Sequence, residues 1–121
     1  MITENEKGLV FKINHPTGYV EVTLDGFFPC PVRQGRKLFK MARKYCSRAE
    51  QLELHNELCA LYDQYPGKIK AAAAELGNSD LCSCDFETMI TKLRLLRRDW
   101  AGLALNIRDA VGILGVKECT T

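Results

Sequence analysis

Arg33–Arg48, "RQGRKLFKMARKYCSR", carries seven basic side chains and no acidic one: Arg33, Arg36, Lys37, Lys40, Arg43, Lys44 and Arg48. At about 100° per residue, the basic side chains of 36–44 fall within an arc of roughly 120°. Leu38, Phe39, Met41, Ala42, Tyr45 and Cys46 fill the opposite arc. Such segregation defines an amphipathic helix, with one face turned to a core and a cationic face turned to water. Ser47 followed by Glu50 is a capping-box pattern, so a second helix is expected from 48.

That second helix places Leu52, Leu54, Leu58, Cys59, Leu61 and Tyr62 over about half its circumference, more than one partner helix needs. "YPG" at 65–67 is expected to stop it. "KIKAAAAELG" then reads as a short helix capped by Gly77, and "NSDLCSC" at 78–84 as a loop. The last helix is the longest. From Phe86, two heptad sets run along it: Phe86, Leu93, Trp100, Ile107 and Leu114, and Met89, Leu96, Leu103 and Ala110. This seam suits a coiled-coil homodimer, but Ile90, Ala104 and Val111 widen it beyond a two-helix stripe. Packing against the helices at 36–46 and 48–63 of the same chain is therefore expected, in a monomer. Trp100 is expected at the centre of the buried seam, and Gly102 beside Ala101 at a close crossing.

Upstream, "LVFKI" (9–13) and "YVEVTL" (19–24) are rich in β-branched and aromatic residues, and the second alternates apolar with polar. "NHPTG" between them supplies turn residues, and "DG" at 25–26 ends the hairpin. "FFPCPV" (27–32) runs extended because of its two prolines. The expected fold class is α+β: a single domain over 1–121, with an N-terminal two-stranded β-hairpin (8–26) packed on a bundle of three to four α-helices (34–114) and a long C-terminal helix.

Composition is that of an ordinary globular chain of 121 residues, 46% apolar and 26% charged. No apolar run approaches the roughly 18 residues of a membrane span. The polar start "MITENEKG" is unlike a secretory leader. Six cysteines, at 30, 46, 59, 82, 84 and 119, are too sparse for a small secreted disulfide scaffold. They are expected to be reduced thiols in a cytoplasmic protein. Cys82 and Cys84 form C-x-C, but a zinc site would need two further ligands from Cys30, Cys119, His15 or His55, so no metal and no cofactor is expected.

Net charge is only +2, but its distribution is uneven: residues 33–48 contribute +7 and residues 49–64 contribute −4. A second cluster, Lys92, Arg94, Arg97 and Arg98, lies along the last helix. A cationic face free of interspersed acids points to phosphates or to an acidic protein surface. Ala73 and Gly77 have the spacing of a helix-turn-helix turn, but Asn78 stands where an apolar residue usually follows. His55 lies on an apolar helix face and His15 in a turn, so no Ser-His-acid pattern and no catalytic residue is assigned. The expected function is non-enzymatic binding of nucleic acid, or of an acidic or nucleic-acid-handling protein, through Arg33, Arg36, Lys37, Lys40, Arg43, Lys44 and Arg48, with Lys92, Arg94, Arg97 and Arg98. In size and style the chain resembles accessory proteins of phages and mobile elements, anti-CRISPR and other anti-defence inhibitors among them. That resemblance covers no diagnostic motif and carries over no residue. It implies an alternative: a mobile-element inhibitor of a host defence nuclease that acts by protein–protein binding.

Overall fold

The computed structural model describes residues 2–77 and 83–117. Three antiparallel strands lie in the order β1 (Ile2–Asn5), β2 (Gly8–His15), β3 (Gly18–Thr23). The sheet thus has one strand more than the expected hairpin. Ile2 pairs with Phe11 and Asn5 with Gly8. The added strand is an edge strand whose Thr3, Glu4 and Asn5 face solvent, so it carries no apolar alternation to betray it. The Ile2 amide donates to Glu53 Oε1 at 3.0 Å, which fastens the strand to a helix. On β2, Phe11 and Ile13 are fully buried and pair with Val22 and Val20 of β3, while Asn14 on the other face is exposed.

A short turn follows, α1 (Leu24–Phe27), whose backbone departs from helix at Asp25 and at Gly26, the latter at φ 148°, a conformation L-residues avoid. "DG" therefore does end the sheet. The extension expected over 27–32 is shorter: Phe27 closes α1, and after a cis Phe28–Pro29 peptide Pro31 is the N-cap of α2 (Val32–Tyr45). The capping box is present: Ser47 Oγ accepts from the Glu50 amide at 3.2 Å, and Glu50 Oε1 accepts from the Ser47 amide at 3.3 Å.

The helix opened by that box, α3 (Arg48–Leu76), does not stop at "YPG" but runs through Pro66 and Gly67 to Leu76. The expected break and the separate helix at 68–77 are both corrected. Proline removes one backbone hydrogen bond locally, yet the apolar face resumes on the same side: Tyr65 and Ala72 are buried and Ile69 is half-buried. Burial of that face against the last helix, α4 (Ser83–Leu114), outweighs the local cost. Gly77 is the C-cap, as its place in the sequence implies.

α4 is the axis of the helical layer. It runs antiparallel to α3, with Trp100 beside Tyr62 and Lys92 beside Glu75, and alongside α2 with Asn106 near Gly35 and Asp109 near Arg36. α2 covers only the second half of α4. This explains one correction: Trp100 is half-buried, with its ring 5.4 Å from that of Tyr62, and the buried centre lies one turn on, at Leu103, Ala110 and Leu114. At the level of Trp100, α4 has α3 on one flank and no α2 on the other. Phe86 and Leu95, nearer the start of α4, are 46% and 44% exposed. Gly102 does permit a close approach, but of Pro29, which would lie 3.3 Å from a Cβ there.

Two outcomes check this arrangement. Leu103→Ala should cost about 2–5 kcal/mol in denaturant unfolding, whereas Leu105→Ala, at a 48% exposed position, should stay within about 0.5 kcal/mol. Pro66→Ala should stabilise the protein, by up to about 3 kcal/mol, because it restores a hydrogen bond to a continuous helix. An unchanged unfolding midpoint would mean that α3 is broken there.

Candidate binding surface

The cationic face depends on how the start of α2 is held. Asn106, fully buried in α4, grips the backbone of Cys30 twice: its Oδ1 accepts from the Cys30 amide and its Nδ2 donates to the Cys30 carbonyl, each at 3.0 Å. A Cβ at Gly35 would come within 3.1 Å of Asn106 Nδ2 and 3.3 Å of Cys30 Sγ, so glycine lets α2 close on this clamp. Burial pushes the Cys30 thiol up to about 11, which leaves it protonated and unreactive at neutral pH.

Held in this way, α2 buries Gly35, Leu38, Phe39 and Ala42 and turns its basic arc outward. Arg33, Arg36, Lys37, Lys40, Arg43 and Lys44 are all exposed. The first turn has no acidic residue and no side-chain cap, so its free amides and positive dipole end add to the cationic character. A shallow groove of about 470 Å³ is lined by Val32, Arg33, Arg36, Lys37 and Lys40. A second, of about 590 Å³, lies between α2 and α4; Arg36 and Lys40 form one wall, and Leu105, Arg108, Asp109 and Gly112 the other. The two share Val32, Arg36 and Lys40 and form one continuous surface. Arg36 Nε lies 3.4 Å from Asp109 Oδ1, which fixes one guanidinium at the rim while its side chain stays 57% exposed.

The structure brings part of the second cluster to this side. Helical spacing puts Arg94 and Arg98 on the same strip of α4 as Leu105 and Gly112. Arg97 and Arg108 share the neighbouring strip. Lys92 points the other way, 3.9 Å from Glu75 of α3. Arg48 serves the fold instead. Its guanidinium donates to the Leu114 carbonyl and, at 2.7 Å, to the Gly115 carbonyl, closing the C-terminus of α4. Arg108, Leu105 and Asp109 do not stand out in the sequence. A helical wheel aligns Arg108 with the 94–98 cluster, but only the packing of α2 shows which strip borders the groove.

The remaining candidates lie elsewhere. His55 is buried, with Nε2 3.6 Å from Cys59 Sγ, and burial lowers its pKa, partly opposed by the Lys117 backbone. It is the core histidine that its place on an apolar face implies. His15 ends β2, its ring edge-on to Tyr45 and its Nδ1 2.8 Å from Thr17 Oγ1. Phe28 is buried in the core, stacked on Phe39. The expectation of six free thiols is corrected: Cys59 is disulfide-bonded, whereas Cys30 and Cys46 are free. Density of cysteines along a chain says nothing about which two sulfurs meet in space. The C-x-C reading and Cys119 fall outside the described side chains. Among the described residues, no helix is long and apolar enough to cross a membrane.

Comparison of the chain with protein-family models, curated proteins and solved structures finds no match.

Burial of His55 has a consequence for stability. Its folded pKa lies below the ordinary value of about 6.5, so the unfolded chain binds the proton more readily. The stabilisation is complete above that value and is lost as pH falls through the folded pKa. Unfolding midpoints in urea should therefore drop between about pH 7 and pH 5, and His55→Gln should flatten that dependence.

Proposed function

We propose that the protein binds nucleic acid, mainly through phosphates, on the face formed by α2 and the adjoining strip of α4. The observation that carries this is the grouping of Arg33, Lys37 and Lys40 with Arg36 and Arg108 along two connected grooves, on a helix face that has no acidic residue. Coulombic attraction to a polyanion and release of its counterions would supply the affinity. Arg94, Arg97 and Arg98 extend the same side along α4 and would lengthen the footprint. The proposal is of binding rather than catalysis. Support comes from the two histidines: one is in the core and the other at the β2–β3 turn, and neither lines the grooves. It also keeps the protein in the cytoplasm, whose reducing poise would favour opening the Cys59 disulfide.

The test is binding of labelled duplex and single-stranded oligonucleotides as a function of salt. For duplex DNA each neutralised phosphate should add about 0.9 to the magnitude of the log–log slope. The double variant Lys40→Glu/Arg108→Glu should weaken binding at least about tenfold and lower the slope, because it reverses one charge on each wall of the α2–α4 groove. Its circular-dichroism spectrum and unfolding midpoint should stay near those of the wild type, since both positions are exposed. Absence of binding to either form at low salt, or unchanged binding by the double variant, would refute the proposal.

A further inference from the structure

The groove between α2 and α4 holds one charge that a surface built only to attract polyanions would leave out. Asp109 is the only acid among residues 32–45 and 100–117. It lines the groove with Arg36, Lys40 and Arg108, so three cations face one carboxylate and the site stays cationic. The Asp109 side chain is only 15% exposed, and its Oδ1 lies 3.4 Å from Arg36 Nε. Its Oδ2 is buried with no hydrogen-bond partner.

A carboxylate in this state is a poor fastening for the fold. Desolvation of Oδ2 costs stability, and an ion pair to a side chain that is 57% exposed returns little. Firmer fastenings exist close by: Asn106, three residues earlier in α4, makes two hydrogen bonds to the Cys30 backbone. A local cost of this kind is expected where a side chain serves binding instead.

The geometry gives the carboxylate a task. A guanidinium carries its N–H donors in a planar fork that matches phosphate oxygens in pairs. Contact through Nε restrains the plane of the Arg36 fork and leaves both Nη nitrogens for another acceptor. Among the described residues, Arg36 makes no other ion pair or hydrogen bond. Lys40 stands one turn further along the same wall, and Arg108 on the opposite one. We propose that this groove contains a discrete phosphate subsite, in which Asp109 is a positioning residue that orients the Arg36 guanidinium to grip two oxygens of one phosphate. The subsite rests on the nucleic-acid reading for the source of its phosphate and adds one fixed contact to it. Lys40 and Arg108 act there through charge alone. The sign of the effect separates the two roles open to Asp109: as a bare negative charge it repels phosphate, and as a positioning residue it strengthens phosphate binding.

The experiment uses the full chain and two probes, labelled oligonucleotides and inorganic phosphate at constant ionic strength. Asp109→Ala should weaken oligonucleotide binding at least about threefold, although it removes a negative charge. Asp109→Asn, which retains an acceptor at Oδ1, should recover that loss. In an Arg36→Ala background, Asp109→Ala should cause no further loss, because the group it orients is gone. Nuclear magnetic resonance of the isotope-labelled wild type should show the Arg36 Nε–Hε signal shifting with inorganic phosphate. Asp109→Ala should raise the phosphate concentration at half-shift. Its unfolding midpoint in urea should not fall, since the variant removes a buried oxygen that lacks a hydrogen-bond partner. The proposal is overturned if Asp109→Ala strengthens binding or leaves it unchanged, if Asp109→Asn fails to recover it, or if the loss persists without Arg36. It is also overturned if phosphate leaves the Arg36 signal unmoved, or if the midpoint of Asp109→Ala falls, which would assign Asp109 to the fold. Oligonucleotides that fail to bind while phosphate still shifts the signal would refute the nucleic-acid reading and leave the subsite standing, with free phosphate groups as its ligand.

Discussion

The paired hydrogen bonds between Asn106 and the Cys30 backbone are the constraint on which the placement of the cationic face depends. A buried amide without partners is costly, and a half-buried stretch between two prolines has few backbone partners of its own. Each satisfies the other. The result ties the 28–31 segment to the second half of α4 and sets where α2 begins. Gly35 and Gly102 complete the fit by leaving room for Asn106 and for Pro29. At the far end, Arg48 closes α4 by donating its guanidinium to the last carbonyls, so α2 is held between two polar fastenings.

Between those fastenings the core is conventional. Phe11 and Ile13 of the sheet meet Phe39 of α2, Leu54 and Leu58 of α3, and Leu103 of α4 in one apolar cluster. Beyond it, α3 and α4 continue as a two-helix arm. Two helices alone cannot seal a wide apolar seam, which is why Leu93, Leu96 and Trp100 remain half-buried. The arm therefore exposes apolar side chains where a three-layer region would hide them. The exposed apolar strip of the arm is thus a product of the shortness of α2 relative to its neighbours.

Several elements are legible in the sequence for local reasons. The amphipathic pattern of 36–46 marks α2, Ser47 and Glu50 mark the start of α3, and Asp25–Gly26 marks the end of the sheet, because each depends on residues within a few turns of one another. The first strand is hidden from such reading because an edge strand facing water needs no alternation, and its pairing partner lies across a turn. Pro66 misleads because a local helix breaker can be overridden by burial that is spread along a whole face. Asn106 carries no signal of its own: an asparagine between Leu103 and Ala110 on the seam looks like a defect until Cys30 is placed beside it.

For the candidate site, the sequence by itself determined the composition of one face: six exposed cations on α2 with no acid among them. That follows from the helical period alone. It could not decide which of the other basic residues join that face, since this depends on the rotation of α4 against α2. Tertiary packing put Arg108 beside Lys40, sent Lys92 to Glu75 and committed Arg48 to the end of α4. The physical reason is one of range. Period and capping act over a few residues, whereas the contact of α2 with α4 joins positions far apart in the chain, as Cys30 and Asn106 are at a separation of 76, and only the folded chain brings them together.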